Sequence, residues 1–339
     1  MHAAAINLRG GVSPRSTRLR GQSIIEYVLI IAIIGLVIVF AGPGVAGAIR
    51  NQFNLVGNTV NNGTTGGVEG GASSGGSTGA DSATVQAAIA KDAKDWTLDE
   101  QKAVAEDIAA KGEASPAYAK AKAAMDAGTK FSMKLTNGET MQYRIIGISH
   151  DLIANPLTHD NVHDTAGLTF LAIPMCGFER AMNATDTNTG GWEKSELRKE
   201  MNSGDIWNLM PNDFQSKVKA VRKFTRTDAG DTGPVNTYTN DKLFLLGYSE
   251  IVNTNRNDPE GEFRVRSEGR QYEVFEDMEE NELEDYFLVG CVEAEVNYMW
   301  ERTAMPGTQD EFLCFLSDGQ ADASTAASAK CSVCPAWCF

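Results

Sequence analysis

The sequence predicts an α+β chain with a long N-terminal transmembrane helix, a flexible linker, a small helical segment and a C-terminal domain in which strands flank a helical middle. Three observations carry this reading. An apolar run near the N-terminus is long enough to cross a bilayer. A Gly-, Ser- and Thr-rich stretch follows it. Near Lys130 the hydrophobic period then changes from that of helices to that of strands. The 339 residues exceed one small module, and 8% aromatic residues at 22% charge exclude a wholly disordered chain. With 30 basic against 45 acidic residues the net charge is −15, which argues against a nucleic-acid partner.

Residues 1–21 contain Arg9, Arg15, Arg18 and Arg20 and no acidic residue; without them the chain carries a net −19. The apolar run follows, and a helix over Ile24–Ala46 has 23 residues, enough to span about 30 Å of hydrocarbon. Basic residues before it and acidic ones after it predict a cytoplasmic N-terminus and an exported C-terminal part. Gly21-Gln22-Ser23-Ile24-Ile25-Glu26-Tyr27 lies at its start. A carboxylate at the edge of a membrane helix is costly unless paired, so Glu26 is a functional candidate.

This pattern resembles class III (prepilin) signal peptides, and with Tyr27 the Flp/Tad branch of type IVb pilins. The resemblance implies cleavage after Gly21 by a prepilin peptidase. It also implies pairing of Glu26 with the new Gln22 amine of a neighbouring pilin subunit, and a membrane anchor through the helix. Residues 1–21 are then a leader and 22–56 a pilin-like helix. An ordinary signal anchor with a stray glutamate is the plain alternative.

Residues 57–82 form the linker, whose composition cannot offset its ordering entropy. From 83 to 129, Val85, Ala88, Ile89, Leu98, Val104 and Ile108 recur at helical spacing. Thr97 before Asp99 and Glu100 reads as an N-cap, and Gly112 and Pro116 divide the segment into two or three helices. It reads as a structural connector.

The domain 130–339 opens on a hairpin, Phe131–Leu135 and Met141–Ile146, around Asn137-Gly138. Leu168–Met175 suits a buried strand. Glu193–Met201 looks helical, and Pro211–Val221 a second helix with Pro at its start. Lys242–Leu246, Phe312–Leu316 and Cys334–Phe339 read as strands.

Trp192-Glu-Lys-Ser-Glu-Leu-Arg198, Asn202, Leu209, Thr225 and Asp241–Leu246 resemble a domain family common on Gram-positive bacterial surfaces, whose function is unassigned. The ending matches it through Trp300-x-Arg302-Thr303, Phe312, Ser317-Asp318-Gly319 and Val333-x-Pro335-x-Trp337. It departs at Thr303 for Ser, Ser332 for Gly and Trp337 for Phe. The ending is also similar to C-type-lectin-like domains and to variable proteins of diversity-generating retroelements. That resemblance implies a C-type-lectin-like C-terminal domain whose scaffold is held while surface positions are rewritten. Trp192, Trp300, Arg302, Phe312, Gly319, Val333 and Trp337 would be scaffold. Met299, Glu301, Met305, Gln309, Asp310, Glu311, Leu313, Gln320, Asp322, Ser324, Thr325 and Lys330 would face the ligand, with plain loop residues as the bland alternative.

Calcium-lectin signatures are absent, and Asn253, Asn255, Asn257 and Asp258 lack the Gly and distal Glu of a calcium loop. His150, Asp151, His159, Asp160, His163 and Asp164 suit a transition metal chemically, but without regular spacing a solvated loop is preferred and no metal or other cofactor is assigned. Glu276–Asp285 reads as a solvated acidic face. Cys176, Cys291, Cys314, Cys331, Cys334 and Cys338 all fall in the exported part, where disulfides form, with the pairing open. Cys331-Ser-Val-Cys334 lacks a thioredoxin-like setting. No hydrolase elbow, HExxH, phosphate loop or dinucleotide fingerprint occurs.

These readings converge on a non-enzymatic surface adhesin, anchored in the cell membrane or built into a pilus, whose C-terminal domain binds an extracellular protein or glycan and is open to retroelement diversification. An exported enzyme on a membrane anchor, or a purely structural minor pilin, are the alternatives. No LPxTG-type sorting signal ends the sequence, so anchoring is expected at the N-terminus.

Overall fold

The structure is a computed structural model that describes residues 82–154, 165–175, 177–225, 237–252, 268–278, 280–287, 298–316 and 319–339. The leader, the predicted span Ile24–Ala46 and the linker up to residue 81 lie outside the described residues, as do Gly21, Gln22, Glu26 and Tyr27.

Three helices come first: α1 (Ala83–Ala90), α2 (Leu98–Lys111) and α3 (Tyr118–Asp126). Helix α2 starts where its sequence signals a start. The Thr97 hydroxyl accepts from Glu100 N at 3.3 Å, and Thr97 N donates to the Glu100 carboxylate at 2.7 Å, a reciprocal capping box. Gly112, at φ +57, ends it.

Strands β1 (Phe131–Lys134) and β2 (Thr140–Ile148) then form an antiparallel hairpin, with Gly138 at φ +90 in the turn. β3 (Leu168–Ala172) and β4 (Glu179–Ala181) follow. Short helices α4 (Gly191–Lys194), α5 (Glu196–Ser203), α6 (Asp205–Leu209) and α7 (Asn212–Gln215) lead to the ribbon β5 (Val221–Thr225) and β6 (Thr237–Asp241). The chain continues through α8 (Tyr248–Ile251), α9 (Glu280–Phe287), β7 (Met299–Ala304), β8 (Glu311–Phe315), β9 (Ala323–Ala326), β10 (Lys330–Ser332) and β11 (Ala336–Cys338).

The strands form three sheets, ordered β1-β2-β3-β11, β4-β10-β7-β8-β9 and β5-β6. The last strand, β11, closes antiparallel on β3, with Trp337 opposite Phe170. Successive side chains of a strand point to opposite faces, and here both faces of the first sheet are covered. Tyr143, Ile145, Phe170 and Trp337 enter one core, which also takes Val85, Val104 and Ile108 of α1 and α2. Ile146, Leu171, Ala336 and Cys338 enter a second core with Phe244, Phe275, Phe287, Met299 and Phe315. Coverage on both sides explains why residues 143–148 of β2 and the whole of β3 are buried. The packing of α2 on β3 is close: a Cβ at Gly167 would lie 1.8 Å from the Ala105 carbonyl oxygen, so only glycine fits.

The fold-class expectation is corrected. The described residues are mixed α/β: α1–α3 precede the first sheet strands, α4–α7 run together between β4 and β5, α8 and α9 follow the β5-β6 ribbon, and β7–β11 close the chain. Among the described residues no helix is long and apolar enough to cross a membrane; the longest, α2, is amphipathic and has 14 residues. The described residues of the expected lectin-like domain form three sheets, of which the first combines the hairpin at residues 131–148 with the C-terminal strand. Two local expectations also shift. The helix after Pro211 stops at Gln215 and gives way to β5, while Lys242–Leu246 makes one bridge, Phe244 to Ala336, and no strand.

Candidate ligand-binding rim and buried polar network

The expected scaffold side chains are all buried and tied to neighbouring elements. Trp192 Nε1 donates to Asp241 at 2.9 Å; the same carboxylate accepts from Thr239 at 2.6 Å and from Arg198 Nε at 2.7 Å. Trp300 Nε1 donates to the Arg180 carbonyl at 2.8 Å, fastening β7 to β4 across the intervening β10. Asn202 takes the backbone N–H groups of Lys242 and Leu243 and donates to the Leu243 carbonyl. Phe312, Val333 and Trp337 enter the first core. Gly319 is buried at φ +95, a conformation that side-chain-bearing residues rarely adopt.

Arg302 is the most heavily engaged of these. Its guanidinium donates to the carbonyls of Phe224, Leu245 and Glu268 and to the Glu250 carboxylate at 2.5 Å, with no exposed surface. Glu250 also meets Lys223 at 2.5 Å, and Lys223 meets Asp151 at 2.7 Å. Asp151 in turn accepts from the Thr169 hydroxyl at 2.6 Å and the Tyr272 hydroxyl at 2.9 Å. Burial by itself would raise the Asp151 carboxyl, but the Lys223 ammonium beside it holds it well below the usual carboxylate range. Burial raises the Tyr272 hydroxyl, and the carboxylates of Asp151 and Glu250 add to the rise.

The twelve expected ligand-facing residues divide by position. Met299, Glu301 and Leu313 are buried on β7 and β8, because these strands are covered on both faces. Gln309, Asp310, Gln320, Asp322 and Lys330 are exposed, and Met305, Glu311, Ser324 and Thr325 are half-buried. Met305, Gln309, Asp310, Glu311, Ser324 and Thr325 gather at one rim of the five-stranded sheet, around the β7–β8 turn and the adjoining parts of β8 and β9, whereas Gln320 and Asp322 lie in the β8–β9 turn at the other end of β8. Lys330 stands apart, opposite Ala181 on β4.

The rim is rigid for an identifiable reason. Asn188, itself buried, donates from Nδ2 to the Glu311 carbonyl at 2.9 Å and to the Thr308 carbonyl at 3.2 Å, and from its backbone to Gln309 at 2.8 Å. Ala327 N donates to the Asp310 carbonyl, Ser328 N to the Asp186 carboxylate at 3.0 Å, and the Ser324 hydroxyl to Glu311 at 2.9 Å. Three segments of the chain are thereby clamped into one polar edge carrying Asp186, Asp310 and Glu311.

Residues 157–339 match the family model for a domain of unknown function, DUF6273. The chain belongs to the DUF6273 family. No curated protein and no solved structure matches it. The DUF6273 region begins after β2, although β2 pairs with β3 inside it and shares its core.

Other expected sites within or beside the DUF6273 region are as follows. His150 is stacked on Tyr272 at 3.9 Å and bonds the Arg270 carbonyl. His159, Asp160, His163 and Asp164 lie outside the described residues, as do residues 253–258, Cys176 and Cys291. Among the described residues no group of three or more metal-ligating side chains forms. Cys314, Cys331, Cys334 and Cys338 are buried free thiols, and burial pushes the Cys331 thiol up to about 12. Such a thiol is a poor nucleophile.

Glu301 is the anomaly. It has no exposed surface, and neither carboxylate oxygen has a hydrogen-bond partner among the described residues. Burial, reinforced by the nearby Glu268 carboxylate, raises it well above the ordinary range, so the folded protein holds it protonated. A raised acid contributes stability that is full below its unfolded value, about 4.3, and is lost as pH rises toward the folded value. The Tm difference between wild type and Glu301→Gln should therefore move steadily in favour of the variant from about pH 5 to about pH 8. Thermal melts followed by circular dichroism across that window check this; a difference independent of pH contradicts it.

Asn188, Lys223 and Glu250 carry no mark in the sequence, and Asp151 and Asp241 stand out there only within a metal candidate and a family pattern. Arg198 is 43 residues from Asp241, Lys223 72 from Asp151 and Glu311 123 from Asn188, so no local spacing marks these pairs. The available signal is phase: Lys223 shares the inward alternation of Val221 and Thr225 on β5.

Proposed function

We propose that this chain is a non-enzymatic surface adhesin, exported through prepilin-type processing after Gly21. In this reading it displays residues 83–339 outside the cell and grips an extracellular protein or glycan with the polar rim. One observation carries the reading. Between Met299 and Lys330, side chains that hold the scaffold are buried, while Gln309 and Asp310 project from a rim whose backbone is clamped. A rigid edge with changeable side chains suits recognition, because little ordering entropy is lost on binding and substitutions leave the core intact. The same division would let a retroelement rewrite the rim. The partners in this reading are the prepilin peptidase, other pilin subunits, the membrane and the external ligand.

The export half of the reading predicts a mature N-terminus at Gln22. N-terminal mapping of the protein recovered from its native cells checks it, and an intact Met1 start contradicts it. The rim half predicts that Gln309→Ala and Asp310→Ala each change stability by less than about 0.5 kcal/mol, as read by urea unfolding.

A further inference from the structure

Lys223, Asp151 and Glu250 meet in the interior, with side chains no more than 3% exposed. Lys223 Nζ stands 2.7 Å from Asp151 Oδ1 and 2.5 Å from Glu250 Oε1. The Phe244 ring lies 4.2 Å from the same nitrogen and the Tyr272 ring 5.5 Å, so the contact is closed to bulk water. The second oxygen of Asp151, Oδ2, receives the hydroxyls of Thr169 and Tyr272. An ion pair alone would need only the first of these contacts. Here an amine touches a carboxyl, that carboxyl has two donors aimed at its far oxygen, and a second carboxylate touches the amine. These are the parts of an acyl transfer: nucleophile, polarised carbonyl and proton carrier.

We propose that Lys223 and Asp151 condense into an intramolecular isopeptide bond, with Glu250 carrying the proton. One proton crosses directly from Nζ to Oδ1, giving the neutral amine and acid. The amine lone pair attacks Asp151 Cγ, and the Thr169 and Tyr272 hydroxyls hold the charge that develops on Oδ2. Glu250 takes a second proton from nitrogen and delivers it to Oδ1, which leaves as water. One C–N bond forms, one C–O bond breaks, and Glu250 returns to its carboxylate form; no oxidant or co-reactant enters. Loss of water from a dry interior keeps the product from reverting. The product removes one buried charge pair and leaves Glu250 balanced by Arg302 at 2.5 Å. It ties β5 to the segment after β2 across a separation of 72 residues, a covalent brace suited to a head under load.

The test is peptide mapping of the purified full-length protein, denatured and digested with trypsin. The expected result is a branched peptide joining Lys223 to Asp151, lighter by one water than the two linear peptides together, with no cleavage after Lys223. Linear peptides of full mass, with cleavage after Lys223, overturn the proposal. Asp151→Ala should abolish the branched peptide. Glu250→Gln should lower its yield about tenfold or more while the circular dichroism spectrum is kept; wild-type yield in that variant overturns the role of Glu250.

Discussion

Arg302→Leu is expected to destabilise the protein by about 4 kcal/mol or more, the largest effect of any single polar substitution in the chain. The guanidinium serves three backbone carbonyls and the Glu250 carboxylate, and it has no exposed surface. Removing it takes a buried donor from each of the three carbonyls and from Glu250, and a buried group left unsatisfied carries its full desolvation penalty. The electrostatic consequence spreads further. The Arg302 charge is the main opposite charge lowering Glu250, against the burial that would raise it. Without it Glu250 keeps Lys223 as its charged partner and the Gly247 N–H as a donor. Urea unfolding read by intrinsic fluorescence measures the loss. The double variant Arg302→Leu with Glu250→Leu should recover part of it, because the pair is removed together rather than broken. A single variant within about 1 kcal/mol of wild type contradicts this account of the Trp-x-Arg strand.

Trp337→Ala is expected to cost about 3–5 kcal/mol through lost transfer energy and the cavity left behind. The indole is fully buried and lies against Tyr143 at 4.9 Å, Phe214 at 5.1 Å and Phe170 at 5.9 Å, so it joins β2, β3 and α7 in one aromatic cluster. Trp337→Phe behaves differently. It gives up ring volume but also removes an Nε1 donor that has no acceptor among the described residues. Its cost should stay below about 1.5 kcal/mol, the range of tolerated apolar exchanges. Denaturant unfolding of both variants checks the pair, and equal losses would contradict the packing argument.

Local chemistry was readable in the sequence, and tertiary pairing was not. The Thr97 capping box, the Asn137-Gly138 turn and the buried run at Leu168 rest on interactions between residues a few positions apart, so their patterns lie on the surface of the text. The ribbon β5-β6 is different. Lys223 and Asp241 are charged residues that read as exposed, yet both are buried because partners far along the chain satisfy them. Lys242–Leu246 is apolar enough for a strand, but β11 meets it only at Phe244. The same limit governs the rim. The resemblance implies that Glu301 and Leu313 face the ligand, which holds only for a sheet with one wet face. β7 and β8 are covered on both, so these two turn inward while Gln309, Asp310 and Asp322, in turns, remain accessible. The clamp made by Asn188 joins segments about 120 residues apart and left no local trace.

The central claim is that the rim is the binding surface. The direct measurement is retention of cells producing the full-length protein on a panel of immobilised glycans and extracellular proteins. Wild type is compared with a variant carrying Gln309→Ala and Asp310→Ala at equal surface abundance. The account predicts retention of wild type on at least one surface and its loss, by about tenfold or more, in the variant. Equal retention of the two, or none by either on any surface, contradicts it.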